Sequence, residues 1–86
     1  MADRTVLITG ASTGIGTACV VRLAGNGWRV YAGVRRPEDG DRLNRLTSAV
    51  GGTVTPIRLD VTVDDDVRAA LDRIDDDVGS LDGLVN

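Results

Sequence analysis

Val6-Leu7-Ile8-Thr9-Gly10-Ala11-Ser12-Thr13-Gly14-Ile15-Gly16 is the stretch whose reading decides the fold. Thr5 to Thr9 is a nearly continuous apolar run, which suits a strand buried on both faces of a parallel sheet. Three glycines in the spacing Gly-x-x-x-Gly-x-Gly follow at once, and a helical pattern begins behind them. A glycine turn between strand and helix allows unusual backbone angles, lets a pyrophosphate approach the main chain, and exposes free amides at the helix's positive end. Gly10 is expected to make the turn, Gly14 to permit close approach, and Gly16 to let the helix pack tightly on the sheet. Ser12 and Thr13 offer hydroxyls or amides to phosphate or ribose oxygens. The stretch predicts a dinucleotide-binding βα unit, although a glycine trio on its own also fits a flexible turn that binds nothing.

Working outward, Ile15, Ala18, Cys19 and Leu23 fall on one helical face, and Gly25-Asn26-Gly27 supplies a left-handed stop, so a first helix is expected over 14 to 25. Trp28 to Val34 reads as a second strand, closed by Arg35-Arg36-Pro37, where proline blocks further pairing. A weaker helical pattern runs through Leu43, Leu46, Ala49 and Val50 to Gly51-Gly52, and Thr53 to Leu59 reads as a third strand. Thr62 with Asp65 fits a helix N-cap followed by an acidic residue. Val63, Val67, Ala70, Leu71, Ile74 and Val78 then trace one face of a third helix, which Gly79 ends. Leu81 to Asn86 opens a fourth strand.

The order βαβαβαβ implies parallel strands, right-handed crossovers and helices on both faces: an α/β, Rossmann-type doubly wound sheet forming one domain over residues 1–86. A sheet whose fourth strand stops at Asn86 leaves an apolar parallel edge, so the expectation is a larger domain truncated after the start of that strand.

Composition narrows the function classes. The chain has 86 residues, 42% of them hydrophobic, with a formal charge of −3. All 10 basic residues are arginines, spread along the chain, which gives no reason to expect nucleic acid or an anionic membrane as a partner. Cys19 is the sole cysteine and histidine is absent, so neither an intrachain disulfide nor a cysteine-based metal cluster can form. With no leader-like or membrane-length apolar run, the expectation is a cytoplasmic protein without a metal site.

Thr9-Gly10-Ala11-Ser12-Thr13-Gly14-Ile15-Gly16 resembles the cofactor motif of the short-chain dehydrogenase/reductase family, Thr-Gly-x-x-x-Gly-x-Gly, in its place between first strand and first helix. Gly27-Trp28-Arg29-Val30 looks like the family's lead into strand two, at whose end an acidic side chain usually grips the ribose hydroxyls of NAD. Val34 takes that place here. Arg35 follows with a cationic fork suited to a ribose 2′-phosphate, assisted by Arg36, so the resemblance implies NADP, with NADPH preferred over NADH. Leu59-Asp60-Val61-Thr62 is similar to the family's Asp-Val segment, in which the carboxylate, here Asp60, accepts from the adenine amino group while main chain at Val61 lines the pocket. The bland alternative for Asp60 is a cap for the next helix, a role for which Thr62 is the better candidate. Leu81-Asp82-Gly83-Leu84-Val85-Asn86 looks like the approach to the Asn-Asn-Ala-Gly motif, with Asn86 as its first residue, near the cofactor ribose. The implied cofactor-binding set is Gly10, Ser12, Thr13, Gly14, Ile15, Gly16, Arg35, Arg36, Asp60, Val61 and Asn86.

The resemblance covers the whole chain, which matches about the first third of a typical family member. That family's catalysis depends on a later Tyr-x-x-x-Lys pair and a serine, so no catalytic residue is named in this chain. Tyr31, inside the second strand, is assigned to packing, as are Cys19 and Trp28. Asp64-Asp65-Asp66 suits the positive end of a helix rather than a metal, and Asp75-Asp76-Asp77 reads as a solvated run with a weak Arg73–Asp77 pair. The implied function is an NADP-dependent oxidoreductase acting on a small carbonyl or alcohol, present as its cofactor-binding N-terminal part, inactive alone, with a homo-oligomer left open for a full-length form. A non-catalytic NADP-binding or regulatory module is the alternative.

Overall fold

Strand and helix alternate as the apolar pattern dictates. The structure, a computed structural model that describes residues 4–50 and 52–86, contains β1 (Thr5–Ile8), α1 (Gly14–Gly25), β2 (Arg29–Val34), α2 (Pro37–Thr47), β3 (Thr53–Arg58), α3 (Asp64–Val78) and β4 (Gly83–Val85). The strands form one sheet in the order β3-β2-β1-β4, and each neighbouring pair is parallel. Leu7 sits in register with Tyr31 on one side and with Leu84 on the other. The chain therefore steps outward from β1 through β2 to β3 and then crosses back to lay β4 against the opposite side of β1. In a doubly wound sheet ligands bind outside the carboxyl ends of the strands, at such a reversal.

Side-chain alternation along the strands divides the core in two. Val6, Ile8, Val30, Ala32 and Val34 meet Val20 and Ala24 of α1 and Leu43 of α2 on one face. Leu7, Tyr31, Ile57 and Leu59 meet Ala70 and Ile74 of α3 on the other. Every residue of β1 is buried, as expected of a strand packed on both faces. Complete burial of Ile8, Val20 and Leu43 contributes about 1.5–3 kcal/mol each. The fold is the Rossmann-type α/β arrangement expected from the sequence. Among the described residues no helix is long and apolar enough to cross a membrane.

Several local expectations are corrected. The buried face of α1 is Gly16, Val20 and Ala24, with Cys19 and Leu23 partly buried beside it. Ile15 is 82% exposed and Ala18 also lies outside. The reason is Gly16: its α-carbon lies against the carbonyl of Gly10, which fixes the rotation of the helix. Helix α2 ends at Thr47, before Ala49 and Val50, and Leu46 faces outward. The expected stop at Gly51 lies outside the described residues, as do Met1, Ala2 and Asp3.

Thr62 does not cap α3. The N-cap is Val63, without a side-chain bond, and Thr62 instead donates its amide and hydroxyl to Asp60 Oδ1 at 3.0 and 2.6 Å. Gly79 does end α3, in the left-handed region at φ 78°. On α3, Val63 and Leu71 face outward, whereas Ala70 and Ile74 enter the core. Short β4 is held by its approach. The Thr5 amide donates to Asp82 Oδ2 at 2.8 Å, and the Asp82 amide donates to the Thr5 carbonyl, also at 2.8 Å.

Candidate functional site

The turn after β1 takes its shape from Gly10, at φ 60°, a backbone angle open mainly to glycine. Three successive carbonyl oxygens in it are each held by a donor. Gly10 O accepts the Thr13 hydroxyl at 2.9 Å, Ala11 O accepts the Thr17 hydroxyl at 2.8 Å, and Ser12 O accepts Arg42 Nη2 at 2.9 Å. The Thr13 hydroxyl in turn accepts the Gly16 amide at 3.2 Å, the N-cap of α1. The first-turn amides of Gly14 and Ile15 have no intrahelical acceptor by helix geometry. With the carbonyls engaged and the amides left over, the end of α1 favours an anion.

Gly14 and Gly16 have opposite surroundings. A Cβ at Gly14 would meet nothing within 4 Å, so open space lies over the main chain there. A Cβ at Gly16 would collide with the Gly10 carbonyl. Ser12 and Thr13 are less alike than expected, because the Thr13 hydroxyl is committed to the cap.

Beside the turn lies a cleft of about 280 Å³ lined by Gly10, Ser12, Thr13, Gly33, Arg35, Leu59 and Val61. It opens at the carboxyl ends of β1, β2 and β3. Gly33 brings the chains together at its base: its carbonyl accepts the Ala11 amide at 3.0 Å, and a Cβ there would lie 2.9 Å from Leu59 Cδ2. Arg35 lines the cleft wall, with its Nε 4.0 Å from Asp60 Oδ2. Hydrogen bonds from the Thr62 hydroxyl and amide hold the Asp60 carboxyl below the usual carboxylate range, and the nearby Arg35 and Arg58 guanidinium groups act in the same direction. Asp60 is therefore an acceptor near neutral pH, and its own amide donates to Asp66 Oδ2 at 3.0 Å.

Of the expected set, Gly10, Ser12, Thr13, Arg35 and Val61 come together on this cleft, with Asp60 reaching it through Arg35. Gly14, Ile15 and Gly16 form the helix start, where the Ile15 side chain points to solvent. Arg36 lines a separate cleft of about 370 Å³ between α2 and β3, together with Pro37, Asn44, Pro56 and Arg58. Asn86 does not line the glycine cleft but an adjoining one that shares Leu59 and Val61 with it. Its Oδ1 accepts the Thr9 hydroxyl at 2.7 Å, and it lines a third, largely apolar cleft of about 420 Å³ with Leu59, Val61, Leu71 and Leu84. Gly33 and Arg42 were missed. A glycine inside a strand signals close backbone approach and marks Gly33, but Arg42 lies thirty positions from Ser12 and carries no local signal.

The short chain dehydrogenase family model matches residues 4–86. The chain belongs to the short-chain dehydrogenase family. It is 40% identical over 85 residues to an uncharacterized oxidoreductase of Myxococcus xanthus, a match that covers 99% of this chain and 34% of that protein. A short-chain type dehydrogenase/reductase from Mycobacterium ulcerans superposes with a TM-score of 0.88 at 29% identity, covering 98% of this chain and 32% of the other. A variant of ElxO, solved with NADPH bound, also gives a TM-score of 0.88, at 32% identity, with 99% and 34% of the two chains covered. This short-chain dehydrogenase chain thus spans about a third of the length of these relatives. The family consists of oxidoreductases that bind a nicotinamide dinucleotide, and the glycine turn of this member has the open main chain such a group needs.

Proposed function

We propose that this chain is the cofactor-binding N-terminal part of an NADP-dependent short-chain dehydrogenase/reductase acting on a small carbonyl or alcohol. The observation that carries the reading is a single cleft shared by the amide-rich glycine turn and the Arg35 guanidinium. The main chain around Gly10, Ser12 and Gly14 would receive the diphosphate, and Arg35 the 2′-phosphate. Asp60 would accept from the adenine amino group, beside main chain at Val61. Arg36 and Asn86 stand further off, in clefts that adjoin this one.

When bound, the nicotinamide supplies or accepts the hydride; this chain's own part is to hold and orient the dinucleotide. Tyr31 is no proton donor for the reaction. It is 1% exposed, its hydroxyl donates to Asp77 Oδ2 at 2.9 Å, and burial together with that bond raises its pKa above the ordinary value. A tyrosine that moves protons near neutral pH needs the opposite shift. Carbonyl reduction by this chain alone is accordingly expected to be absent.

Calorimetric titration with NADPH, NADP and NADH tests the proposal. Binding of NADPH and NADP more tightly than NADH supports it, and a flat response to all three by a sample with a cooperative melt overturns it. A non-catalytic NADP-binding module is the second reading, because the glycine turn and Arg35 on one cleft serve it equally well. Assay of a longer parent sequence carrying Tyr-x-x-x-Lys separates the two.

A further inference from the structure

We propose that Arg42 on α2 is a specificity-determining residue, the cation that makes the glycine cleft select a phosphorylated ribose. Its guanidinium is set at the cleft rim by the bond from Nη2 to the Ser12 carbonyl, 2.9 Å long, and Ser12 lines the cleft together with Arg35.

The argument concerns which positive charge is available. Arg35 faces the cleft and lies 4.0 Å from the Asp60 carboxylate, so its charge is shared with a neighbouring anion. Arg58 is likewise placed 3.8 Å from Asp66. Arg36 turns toward the neighbouring cleft between α2 and β3. Arg42 has no carboxylate within ion-pair distance among the described residues. A neutral carbonyl anchors it, fixing its position without cancelling its charge.

A guanidinium carries five N–H donors, so most remain after the bond to Ser12. The planar fork matches two oxygens of a phosphate at once. Anchoring also lowers the entropy lost when an anion is taken up, because the long side chain is already ordered. Arg42 therefore acts beside Arg35, from α2 and through the Ser12 segment of the cleft wall.

This inference rests on the NADP reading and deepens it. The test uses 2′,5′-ADP and 5′-ADP, which differ only in the 2′-phosphate, titrated into the chain and into Arg42→Gln, Arg42→Lys and, as a surface-charge control on the same helix, Arg45→Gln. Circular dichroism checks that each variant is folded. Arg42→Gln is expected to weaken 2′,5′-ADP by about tenfold, the scale of a charge-assisted bond, while 5′-ADP changes less than about twofold. Arg42→Lys is expected to recover most of the loss, and Arg45→Gln to match the parent. Equal losses for both ligands in Arg42→Gln, or none for either, overturn the role of Arg42 while leaving the NADP reading in place. A parent chain that binds 2′,5′-ADP no better than 5′-ADP overturns both. Should Arg42→Gln fail to fold, Arg42→Lys decides: retained discrimination supports the proposal, and its disappearance with 5′-ADP binding intact overturns charge as the cause.

Discussion

Gly16 and Gly14 are two residues apart and do opposite things, which makes them the sharpest probe of the turn. Alanine at Gly16 drives a methyl into the Gly10 carbonyl, so a loss of about 1–3 kcal/mol is expected, as for other overpacked sites, seen as a fall in melting temperature. Alanine at Gly14 meets no protein atom within 4 Å and stands in the first turn of a helix, where it costs the fold nothing and removes backbone freedom from the unfolded chain. Gly14→Ala is therefore expected to leave melting unchanged or raise it slightly while weakening NADPH in a titration, because the methyl occupies space the diphosphate needs. At Arg35, substitution by aspartate brings a second carboxylate beside Asp60. The preference between NADPH and NADH is expected to move toward NADH by roughly 1–3 kcal/mol, measured as the ratio of the two Kd values. Equal weakening of both cofactors would remove the 2′-phosphate role. The turn glycines Gly10, Gly14 and Gly16 were legible in the sequence because a fixed local spacing presents them together, and Arg35 because it directly follows the apolar run of β2. Ile15 was misjudged for the converse reason: it has helical periodicity with Leu23, yet the contact of Gly16 with Gly10 fixes the rotation of the helix and leaves Ile15 outside.

At the scale of elements, α1 depends on a cap that is also part of the site. Thr13 holds the Gly16 amide and the Gly10 carbonyl with one hydroxyl. Thr13→Ala is expected to lower stability by about 1 kcal/mol, read from denaturant unfolding. It also removes the shorter of the two bonds to the Gly10 carbonyl, leaving the Thr13 amide at 3.2 Å, so affinity for NADPH should fall beyond what the stability change explains. Helix α3 shows how an element can be legible while its ends are not. Its apolar repeat through Val67, Ala70, Ile74 and Val78 survives, but Thr62, an apt cap by residue type, is drawn to Asp60 at the end of β3. Helix α2 has few apolar residues, and its extent is decided where Gly40 packs on Pro56 and Thr47 bonds the Leu43 carbonyl at 2.8 Å. Neither contact is visible in the local pattern.

Across the whole molecule, Tyr31 and Asp77 tie the sheet to the far end of α3, forty-six positions apart in sequence. Bonds from the Tyr31 hydroxyl and from Arg73 Nε at 3.0 Å hold the Asp77 carboxyl below its ordinary value. A depressed native pKa means that the unfolded chain takes up the proton first as pH falls. The stabilisation is complete above the ordinary aspartate value of about 3.9 and is lost as pH drops through the native one. Tyr31, raised by burial and by Asp77, runs the other way: its contribution is complete below 10.0 and is lost as pH climbs through the higher native value. Asp77→Asn is therefore expected to flatten the acid limb of a melting-temperature profile between about pH 2 and 6 and to make the alkaline limb shallower, because the limb still starts at the unfolded-state value of 10.0 while the native value moves down toward it. An unchanged acid limb would show that the tie contributes nothing to stability. The run Asp75-Asp76-Asp77 read as mere solvated charge, because sequence gives no sign that one of three equivalent carboxylates faces a buried phenol.

The sequence by itself determined the alternation of parallel strands and helices, the glycine turn and the arginine that follows β2. Each of these is a local matter of periodicity, of backbone freedom, or of a residue placed at the end of a strand. Tertiary structure alone decided which groups share a cleft: that Gly33 and Leu59 form its base, that Arg36 turns elsewhere, that Arg42 reaches Ser12, and that Asp77 finds Tyr31. Those pairings depend on the order β3-β2-β1-β4 and on the rotation of each helix against the sheet. Both are set by close packing between residues distant in the chain, and no local pattern encodes them.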